Sequence, residues 1–438
     1  MRMAVFGEIE GERHRVGILE TVPGREEQFS YDPSFVERFP AAPLSVALPF
    51  QGEPYSARRA RPFFRNLLPE GAALAAVARK LEVKSSSYLE VLDALGSECT
   101  GAVVLGREDV EAPAEAYGYE PLARETVGAV FREGADGVAQ LQEEAKLSLA
   151  GAQSKMGLYL ERKDGVAHYA LPCGSAPSTH IVKTPSRRFE QLSENEHFCL
   201  RVAGSVGLNV PDSFIDVIEG QPLFVIERFD RKVLPEREDR AGADFHRVLR
   251  MHQEDFCQVL GLLPERKYEA GGVRYAKWVG DEIAARSTDP VRDLQAFAKL
   301  LVFNAVVGNC DGHLKNITAM RGVDWRAFEL APVYDVASTV VYRGLDRHMA
   351  MRIGRTSRVD EVGRGDFLLL AEELVLSKKV MVRLIDEVCE GALRSMGCIV
   401  SDMENSLNRS LPKLAEIEQF ARGQIDRIGA QLPWAARL

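Results

Sequence analysis

Three polar residues in the last third of the chain have types and spacing that suit one kind of chemistry. Asp311 and Asn316 lie five residues apart in the segment NCDGHLKN, and Asp335 follows nineteen residues later in APVYD. Phosphoryl transfer needs an acidic side chain that orients or deprotonates the attacking hydroxyl, and oxygen ligands that hold Mg²⁺ against the phosphates. Asp311 is therefore a candidate base, and Asn316 and Asp335 are candidate Mg²⁺ ligands.

The spacing of this trio is that of a protein-kinase catalytic loop and its separate metal-binding Asp. A structural interpretation competes with it, because Asp-Gly is a common turn dipeptide and Asp311 and Asn316 could simply shape a loop. Residues further upstream favour the functional interpretation.

Lys183 ends the apolar strand pattern HIVK, where an ammonium group is costly to bury without a partner. Glu196, on the next predicted helix, is a candidate partner, although Ser193 and Glu196 also fit a capping box. Lys183 also fits an exposed edge position. The functional interpretation is preferred for Lys183, because a strand lysine that binds phosphate is the role that the Asp311 group still lacks.

Two further segments could contact a nucleotide. In SLAGAQSK (148–155), small residues would let backbone N–H groups approach phosphate oxygens, and Lys155 adds charge. The segment is neither a Walker A loop nor GxGxxG, and in isolation a plain turn before a strand explains it better. The strand ending at 227–229 could offer backbone groups to an adenine edge, but a buried strand running into a charged loop is as easy an explanation.

The elements that position these residues change character along the chain. Period-two alternation predicts a hairpin over residues 3–18 with a turn at Gly11, and a second hairpin over 156–171 with its turn at 163–165. HIVK and residues 223–229 are predicted strands, and a helix is predicted from about residue 193 to 206. Strand signals then fade after Asp230. One face of a later predicted helix carries Leu294, Phe297, Leu301 and Ala305. A strand-rich stretch followed by a helix-rich stretch is the layout of two lobes with a cleft between them.

Composition limits the function classes. The 438 residues favour two or three domains, and 64 acidic against 55 basic residues give a net charge of −9, which disfavours general coating of DNA or RNA. Seven cysteines without a CxxC pair argue against a disulfide framework and zinc spacings. No apolar run suits a signal peptide or a membrane span, which predicts a cytoplasmic protein without membrane association. A minor basic patch comprises Arg58, Arg59, Arg61 and Arg65.

Together, the segments with these motifs resemble the HipA family of bacterial serine/threonine kinase toxins. They are, in order, PLSVALPF (43–50), FFRNLLPEG (63–71), SLAGAQSK (148–155), HIVKTP (180–185), NEHFCL (195–200), LNVPD (208–212), IERFDR (226–231), NCDGHLKN (309–316) and APVYD (331–335). The resemblance implies an α+β fold. A small N-terminal α/β domain would span residues 1–110, and a two-lobed, lipid-kinase-like kinase would follow, with a strand-rich N-lobe over 111–230 and an all-helical C-lobe over 231–438.

The resemblance also implies roles for individual residues. Asp311 would be the catalytic base, Asn316 and Asp335 would bind Mg²⁺, and Lys183 would hold the phosphates of ATP. Ser148 falls at the family's autophosphorylation site, where added negative charge would repel ATP and switch the enzyme off. The other implied nucleotide contacts are Ala150, Gly151, Ala152, Gln153, Ser154 and Lys155 of the phosphate loop, Glu227, Arg228 and Phe229 of the adenine connection, and His313, Lys315, Asn316, Tyr334 and Asp335.

The implied activity is ATP- and Mg²⁺-dependent phosphorylation of a cytoplasmic protein, with an aminoacyl-tRNA synthetase such as glutamyl-tRNA synthetase as the expected target. Translation would stall, and growth arrest and persistence would follow. The implied partner is a helix-turn-helix antitoxin of the HipB type, which would make most of the contact with operator DNA. Two departures bear on the substrate: Ser154 stands where the best-known member has glutamate, and the segment after Phe229 shares little beyond Asp-Arg.

Two other functions stay open at this point. A small-molecule kinase of the aminoglycoside or choline type has comparable Asp and Asn spacing, but it has no evident use for the N-terminal segment. A catalytically silent scaffold that binds antitoxin and DNA would be expected to lose its catalytic residues. The chain retains Asp311, Asn316, Asp335 and Lys183.

Overall fold

The computed structural model of the chain describes residues 1–21, 26–84, 87–96, 99–107, 117–134, 137–139, 153, 155–186, 188–240 and 243–429. Ser148, Ala150, Gly151, Ala152 and Ser154, and the predicted domain boundary at residue 110, lie outside the described residues. The chain folds into two compact units. Unit 1 comprises Met1–Thr184, Asp216–Pro264 and Ala319–Ala327, and unit 2 comprises Pro185–Ile215, Glu265–Thr318 and Phe328–Leu438. This grouping differs from the three domains expected from the sequence, whose boundaries stay predictions.

The first sheet of unit 1 has five antiparallel strands in the order β4-β3-β2-β1-β5. Its β1–β2 hairpin turns at Gly11, whose φ of +83° suits glycine, and this confirms the first predicted hairpin. The aromatic pair Phe63 and Phe64 packs in the core beneath the sheet, together with Trp325 from a distant part of the chain. The elements are β1 (Arg2–Ile9), β2 (Glu12–Thr21), β3 (Glu27–Tyr31), α1 (Pro33–Arg38), β4 (Tyr55–Ser56), α2 (Ala57–Arg65), α3 (Gly71–Lys80), α4 (Tyr88–Leu95) and β5 (Val103–Arg107).

The second sheet of unit 1 has six strands in the order β10-β11-β9-β7-β8-β6. Its β7–β8 hairpin turns at Asp164 and Gly165, with φ of +52° and +81°, as a two-residue turn that matches the twist of the strands, and this confirms the second predicted hairpin. The elements are β6 (Gly118–Leu122), α5 (Arg124–Glu133), β7 (Lys155–Lys163), β8 (Val166–Cys173), β9 (His180–Lys183), β10 (Ser213–Ile218) and β11 (Gln221–Glu227).

Strands continue in unit 1 beyond Asp230, where the sequence pattern predicts their loss. β12 (Arg231–Arg240) and β13 (Ala243–Arg250) form an antiparallel hairpin, followed by β14 (His252–Asp255) and the short helix α7 (Phe256–Val259). The hairpin carries few apolar residues, but Phe245 and Val248 of β13 pack in an aromatic cluster with tyrosines of the second sheet. A later strand, β15 (Thr318–Gly322), returns to unit 1.

Helices form most of unit 2. They are α6 (Leu192–Ser205), α8 (Tyr275–Arg286), α9 (Pro290–Val307), α10 (Arg364–Glu373), α11 (Lys378–Leu407) and α12 (Pro412–Gly429), with the short strands β16 (Glu329–Leu330), β17 (His348–Ile353) and β18 (Thr356–Arg358). Because residues 231–255, 318–330 and 348–358 contain strands, the predicted all-helical C-lobe is not confirmed. The predicted face of α9 is confirmed: Leu294, Phe297, Leu301 and Ala305 are all buried.

Helix α9 is the element that delivers the candidate catalytic loop. It begins at Asp289, whose side chain caps the Arg292 N–H at 3.1 Å, with Pro290 in the first turn. Helices α8, α11 and α12 pack around it. It ends at Gly308, which has φ of +73°, a conformation that glycine adopts without strain.

Surface and redox features match part of the sequence expectations. All seven cysteines are free thiols, and five of them are buried. Arg61 of the basic patch is paired with Glu27, and Arg59 donates to the Ala47 carbonyl oxygen at 2.9 Å, so these two arginines have partners within the fold. Within the described part of the chain, no helix has the length and apolar character needed to cross a membrane.

Candidate active site

The loop that carries Asp311 is fixed by a relay of buried amides. Asn309 Nδ2 donates to Asn304 Oδ1 of α9 at 3.0 Å, and the Asp311 N–H donates to Asn309 Oδ1, also at 3.0 Å. A Cβ at Gly312 would lie 2.7 Å from Asn304 Nδ2, so only glycine permits this close approach. The end of the helix therefore sets the backbone of the loop. Asn304 is a site residue that the sequence reasoning missed, because an Asn in an apolar helix shows no motif.

The loop then closes on itself in a single 3₁₀ turn at Leu314–Asn316. The His313 N–H donates to the Asp311 carbonyl oxygen at 2.8 Å, and Asn316 Nδ2 donates to the same oxygen at 2.9 Å. Because Asn316 uses its Nδ2 inside the loop, its Oδ1 is the amide atom that remains to bind a cation.

The Asp311 carboxylate is exposed and accepts a hydrogen bond from Tyr268. The Tyr268 hydroxyl lies 2.6 Å from Asp311 Oδ1, and its ring packs edge-on against the His313 ring at 5.2 Å between centres. His313 and Lys315 are buried in the loop. Tyr268 lies 43 residues before Asp311 and shows no motif, so nothing in the sequence pattern pointed to it.

Tyr334 ties the segment of Asp335 to this loop. Its hydroxyl donates to the Lys315 carbonyl oxygen at 2.8 Å and lies 2.7 Å from Thr318 Oγ1. Since the single phenolic proton is on the bond to Lys315, Thr318 is the donor in the second bond. The hydrogen bond thus joins the sequence neighbours of the two predicted Mg²⁺ ligands, Asn316 and Asp335. Asp335 has φ of +56°, a conformation that non-glycine residues rarely adopt and that clusters at functional sites.

The start of α6 holds the residues that follow Asp335. Asn195 is fully buried; its Nδ2 donates to the Ser338 carbonyl oxygen at 2.9 Å, and its Oδ1 accepts from the Ser338 N–H at 2.8 Å. The Tyr342 hydroxyl accepts from the same Nδ2 at 3.2 Å and donates to the Glu190 carbonyl oxygen at 3.1 Å. The sequence pattern did not identify Asn195, because the candidate functional residue in this segment was Glu196.

The capping box proposed for Ser193 and Glu196 is wrong. Helix α6 begins one residue earlier, at Leu192, with Gln191 at its N-cap in the left-handed conformation and no side-chain cap. Glu196 is buried within the helix. Its predicted partner Lys183 belongs to unit 1, whereas Glu196 belongs to unit 2.

Lys183 is buried, with 4% of its surface exposed, on a strand that has β11 on one side and β7 on the other. The alternative of an exposed edge position is therefore wrong. Lys155 of β7 lies directly opposite Lys183 in the antiparallel register, and Lys183 Nζ lies 5.4 Å from the centre of the Phe224 ring. Gln153, the one described residue of the predicted phosphate loop before Lys155, donates to the Thr184 carbonyl oxygen at 2.9 Å.

The Arg228 side chain forms hydrogen bonds within unit 1. Its guanidinium donates to both oxygens of Asp230 at 2.9 and 2.8 Å and to Ser178 Oγ at 3.0 Å, and its N–H donates to the Thr179 carbonyl oxygen. Burial alone would raise the pKa of Asp230, but the Arg228 and Arg231 guanidinium groups outweigh it and lower that pKa. The Arg228 side chain thus has partners within unit 1, and the predicted adenine contacts of the segment Glu227, Arg228 and Phe229 stay predictions.

The donor set fits Mg²⁺ held together with phosphates. Among the described residues, no three His, Cys, Asp or Glu side chains cluster as a metal site of their own. Mg²⁺ is usually bound through one or two carboxylates plus substrate phosphates, and it prefers oxygen ligands. Asn316 Oδ1 and the Asp335 carboxylate are such a partial set.

Models of two protein families match the chain. The HipA N-terminal domain matches residues 8–106, and the HipA-like C-terminal domain matches residues 147–396. A candidate kinase of Sinorhizobium fredii, Y4mE, is 37% identical over 376 residues, which are 84% of this chain and 86% of Y4mE. The serine/threonine-protein kinase toxin HipA of Shewanella oneidensis is 29% identical over 322 residues, 71% of this chain and 70% of the toxin.

A solved structure confirms the α+β fold. The complex of the Shewanella oneidensis MR-1 toxin–antitoxin proteins HipA and HipB with operator DNA contains a chain that matches with a TM-score of 0.79, at 21% identity, over 100% of this chain and 99% of that one. The C-terminal family model alone covers more than half of the residues. With both domain models in the order that the sequence motifs predict, the chain belongs to the HipA family of kinases.

Proposed function

We propose that this chain is an ATP- and Mg²⁺-dependent serine/threonine-protein kinase of the toxin type. The observation that carries the proposal is the hydrogen bond from Tyr334 to the Lys315 carbonyl oxygen, because it joins the Asp335 segment to the loop of Asp311 and Asn316. Those three residues have the types and spacing of kinase machinery. Membership of the HipA family supports the same activity.

In this proposal each residue has a defined task. Asp311, exposed at the surface of the loop, accepts the proton of the incoming hydroxyl. Asn316 Oδ1 and the Asp335 carboxylate hold Mg²⁺, and Lys183 and Lys155 neutralise phosphate charge. ATP supplies the phosphoryl group, and Mg²⁺ screens its charge. The remaining nucleotide contacts proposed are Ala150, Gly151, Ala152, Gln153, Ser154, Glu227, Arg228, Phe229, His313, Lys315 and Tyr334.

The regulation and partners of the toxin type complete the proposal. Self-phosphorylation of Ser148 switches the kinase off, because the added charge repels ATP. A HipB-type antitoxin neutralises it and carries most of the contact with operator DNA. Two observations support this partner: a relative was solved with HipB and its operator DNA, and the net charge of −9 disfavours extensive direct DNA binding by this chain.

The test is transfer from radiolabelled ATP to the purified chain in the presence of Mg²⁺. We expect label on Ser148, and we expect Asp311→Asn to reduce it by about 100-fold or more, the usual worth of a catalytic base. Chelation of Mg²⁺ should abolish it. The matched control is Asp281→Asn, which changes an exposed aspartate paired with Lys277 on α8 and should keep full activity.

Each alternative result of this assay would contradict one part of the proposal. Label that persists in Asp311→Asn rejects Asp311 as the base. Label that passes to a small molecule favours the aminoglycoside-type alternative, and a wild-type chain that transfers nothing favours the silent scaffold.

The acceptor proposed is a cytoplasmic aminoacyl-tRNA synthetase, such as glutamyl-tRNA synthetase, whose phosphorylation stops translation and arrests growth. Phosphoproteomics after induced expression should show one dominant new phosphoserine on such an enzyme. The same measurement with Asp311→Asn is the control. A dominant phosphosite on an unrelated protein would reject the synthetase and leave the kinase activity in place.

A further inference from the structure

Among the described residues, Tyr268 is the one whose side chain forms a hydrogen bond with the Asp311 carboxylate. The hydroxyl oxygen lies 2.6 Å from Asp311 Oδ1, within the range of strong hydrogen bonds from a hydroxyl to a carboxylate. Tyrosine is the donor in this bond, because an ionised carboxylate only accepts.

The backbone on both sides of Tyr268 is anchored. The Leu314 N–H of the catalytic loop donates to the Lys267 carbonyl oxygen at 3.3 Å, and the Glu269 N–H donates to the Ala350 carbonyl oxygen at 2.9 Å. Ala350 in turn donates its N–H to the Cys310 carbonyl oxygen, next to Asp311, at 3.0 Å. The turn that carries Tyr268 is thus fastened to residues on both sides of Asp311.

The side chain of Tyr268 is 45% exposed, and two contacts favour its orientation. Its ring meets the buried His313 ring edge-on at 5.2 Å, and Lys267 Nζ lies 5.5 Å from the ring centre. One side of the ring is thus in contact with the catalytic loop, and from there the hydroxyl reaches one oxygen of Asp311.

We propose that Tyr268 is a positioning residue that holds Asp311 Oδ1 and so directs Oδ2 to the acceptor hydroxyl. The inference rests on the proposed function, since it assigns a helper to the base of that reaction. A base works best when a third group fixes its orientation, because free rotation of the carboxylate would place the wrong oxygen, or none, at the reacting proton. Tyr268 itself touches no reacting atom.

A competing role for Tyr268 makes the opposite prediction. A hydroxyl bound to the base could occupy the place of the acceptor and block it, in which case its removal would raise activity. The backbone anchors on both sides of Tyr268 favour the positioning role, because a blocking group would have to move away before the acceptor could bind. The direction in which kcat changes in Tyr268→Phe separates the two roles.

The experiment is Tyr268→Phe, which removes only the hydroxyl. We expect kcat for phosphoryl transfer to fall about tenfold, the worth of one hydrogen bond to a charged group, with KM for ATP and the thermal midpoint unchanged. The matched control is Tyr169→Phe, which removes a hydroxyl bound to the Asp216 carboxylate at 2.7 Å in unit 1. It should lower the thermal midpoint and leave kcat unchanged.

An unchanged or higher kcat in Tyr268→Phe overturns the inference, while the wild-type activity in the same assay keeps the proposed function intact. A thermal midpoint and ATP affinity that fall together with kcat also overturn it, because they mark a structural role. A wild-type chain that transfers no phosphate overturns the proposed function itself and removes the reaction in which Tyr268 is placed.

Discussion

Lys183 is a buried lysine on an inner strand of the second sheet, opposite Lys155 in the antiparallel register. Lys183→Met retains the length of the stem beside Phe224 and removes the charge. We expect the affinity for Mg²⁺-ATP to fall about tenfold or more, because a cation that neutralises phosphate charge is lost, while the chain keeps a cooperative urea transition. Titration calorimetry and urea unfolding measure the two effects.

The matched control for Lys183 lies in the same sheet. Lys163 at the end of β7 is exposed and pairs with Glu161 at 3.2 Å, so Lys163→Met should leave both the nucleotide affinity and the stability almost unchanged. If Lys183→Met bound Mg²⁺-ATP as well as the wild type, the assignment of Lys183 to phosphate binding would be wrong.

At the scale of residues, sequence reasoning reached the side chains that carry a motif and missed the ones that hold them. Asp311, Asn316 and Asp335 are recognisable because phosphoryl transfer restricts both their type and their spacing. Asn304 and Tyr268 contact the same loop through single hydrogen bonds that depend on the tertiary fold. Many residue types can be tolerated at such sequence separations, so no spacing rule reveals these two.

At the scale of elements, the start of α6 and the segment after Asp335 depend on one side chain. Asn195 satisfies both the N–H and the carbonyl oxygen of Ser338 in a fully buried place. Asn195→Ala would leave two buried backbone groups unsatisfied, so we expect a loss of about 2–4 kcal/mol in the free energy of unfolding. We also expect weaker phosphoryl transfer, since Ser338 lies three residues after Asp335. Urea unfolding and the ATP assay measure these.

Asn405→Ala is the control for Asn195, because Asn405 is an exposed asparagine near the end of α11. Substitution there should change the free energy of unfolding by less than about 0.5 kcal/mol. A comparably small effect of Asn195→Ala would show that α6 and the Asp335 segment are held in place by other contacts.

The elements themselves were predictable where their sequence periodicity reports burial. Helix α9 and the β7–β8 hairpin follow this rule, because one face of each repeats apolar residues at the period of its element. The β12–β13 hairpin does not, because only a few positions of β13 pack in the aromatic cluster and the rest of the hairpin is rich in charge. Its strands are formed by pairing with each other and by a tyrosine cluster contributed by distant parts of the chain.

At the scale of the whole molecule, the core of the first sheet depends on residues that are far apart in sequence. Trp325 is fully buried there, donates its indole N–H to the Glu8 carbonyl oxygen at 3.0 Å and stacks on His252 at 4.1 Å. The chain reaches this core in the interval between Asn316 and Asp335. No local pattern predicts such an insertion, because the partners of the Trp325 side chain, Glu8 and His252, lie more than seventy residues away in sequence.

Three histidines, of which His252 is fully buried and His180 and His197 are partly buried, should make the folded chain sensitive to acid. Burial, reinforced by a nearby arginine, lowers the pKa of His252 to about 3 and those of His180 and His197 to about 4, whereas each titrates near 6.5 in an unfolded chain. Between pH 6.5 and 4 the unfolded chain therefore binds more protons than the folded one, and stability falls as pH falls. Each histidine contributes up to about 1.4 kcal/mol per pH unit in that interval.

Urea unfolding between pH 7.5 and 5 measures this loss, and it should be steepest below pH 6.5. His252→Gln keeps a donor for the Leu44 carbonyl oxygen, which His252 Nε2 reaches at 2.8 Å, and should make the slope shallower, since it removes one group that takes up a proton mainly in the unfolded chain. His348→Gln changes an exposed histidine and should leave the slope unaltered. Stability that stays level or rises on acidification would mean that these histidines are protonated in the folded chain, and burial would then not be what governs their titration.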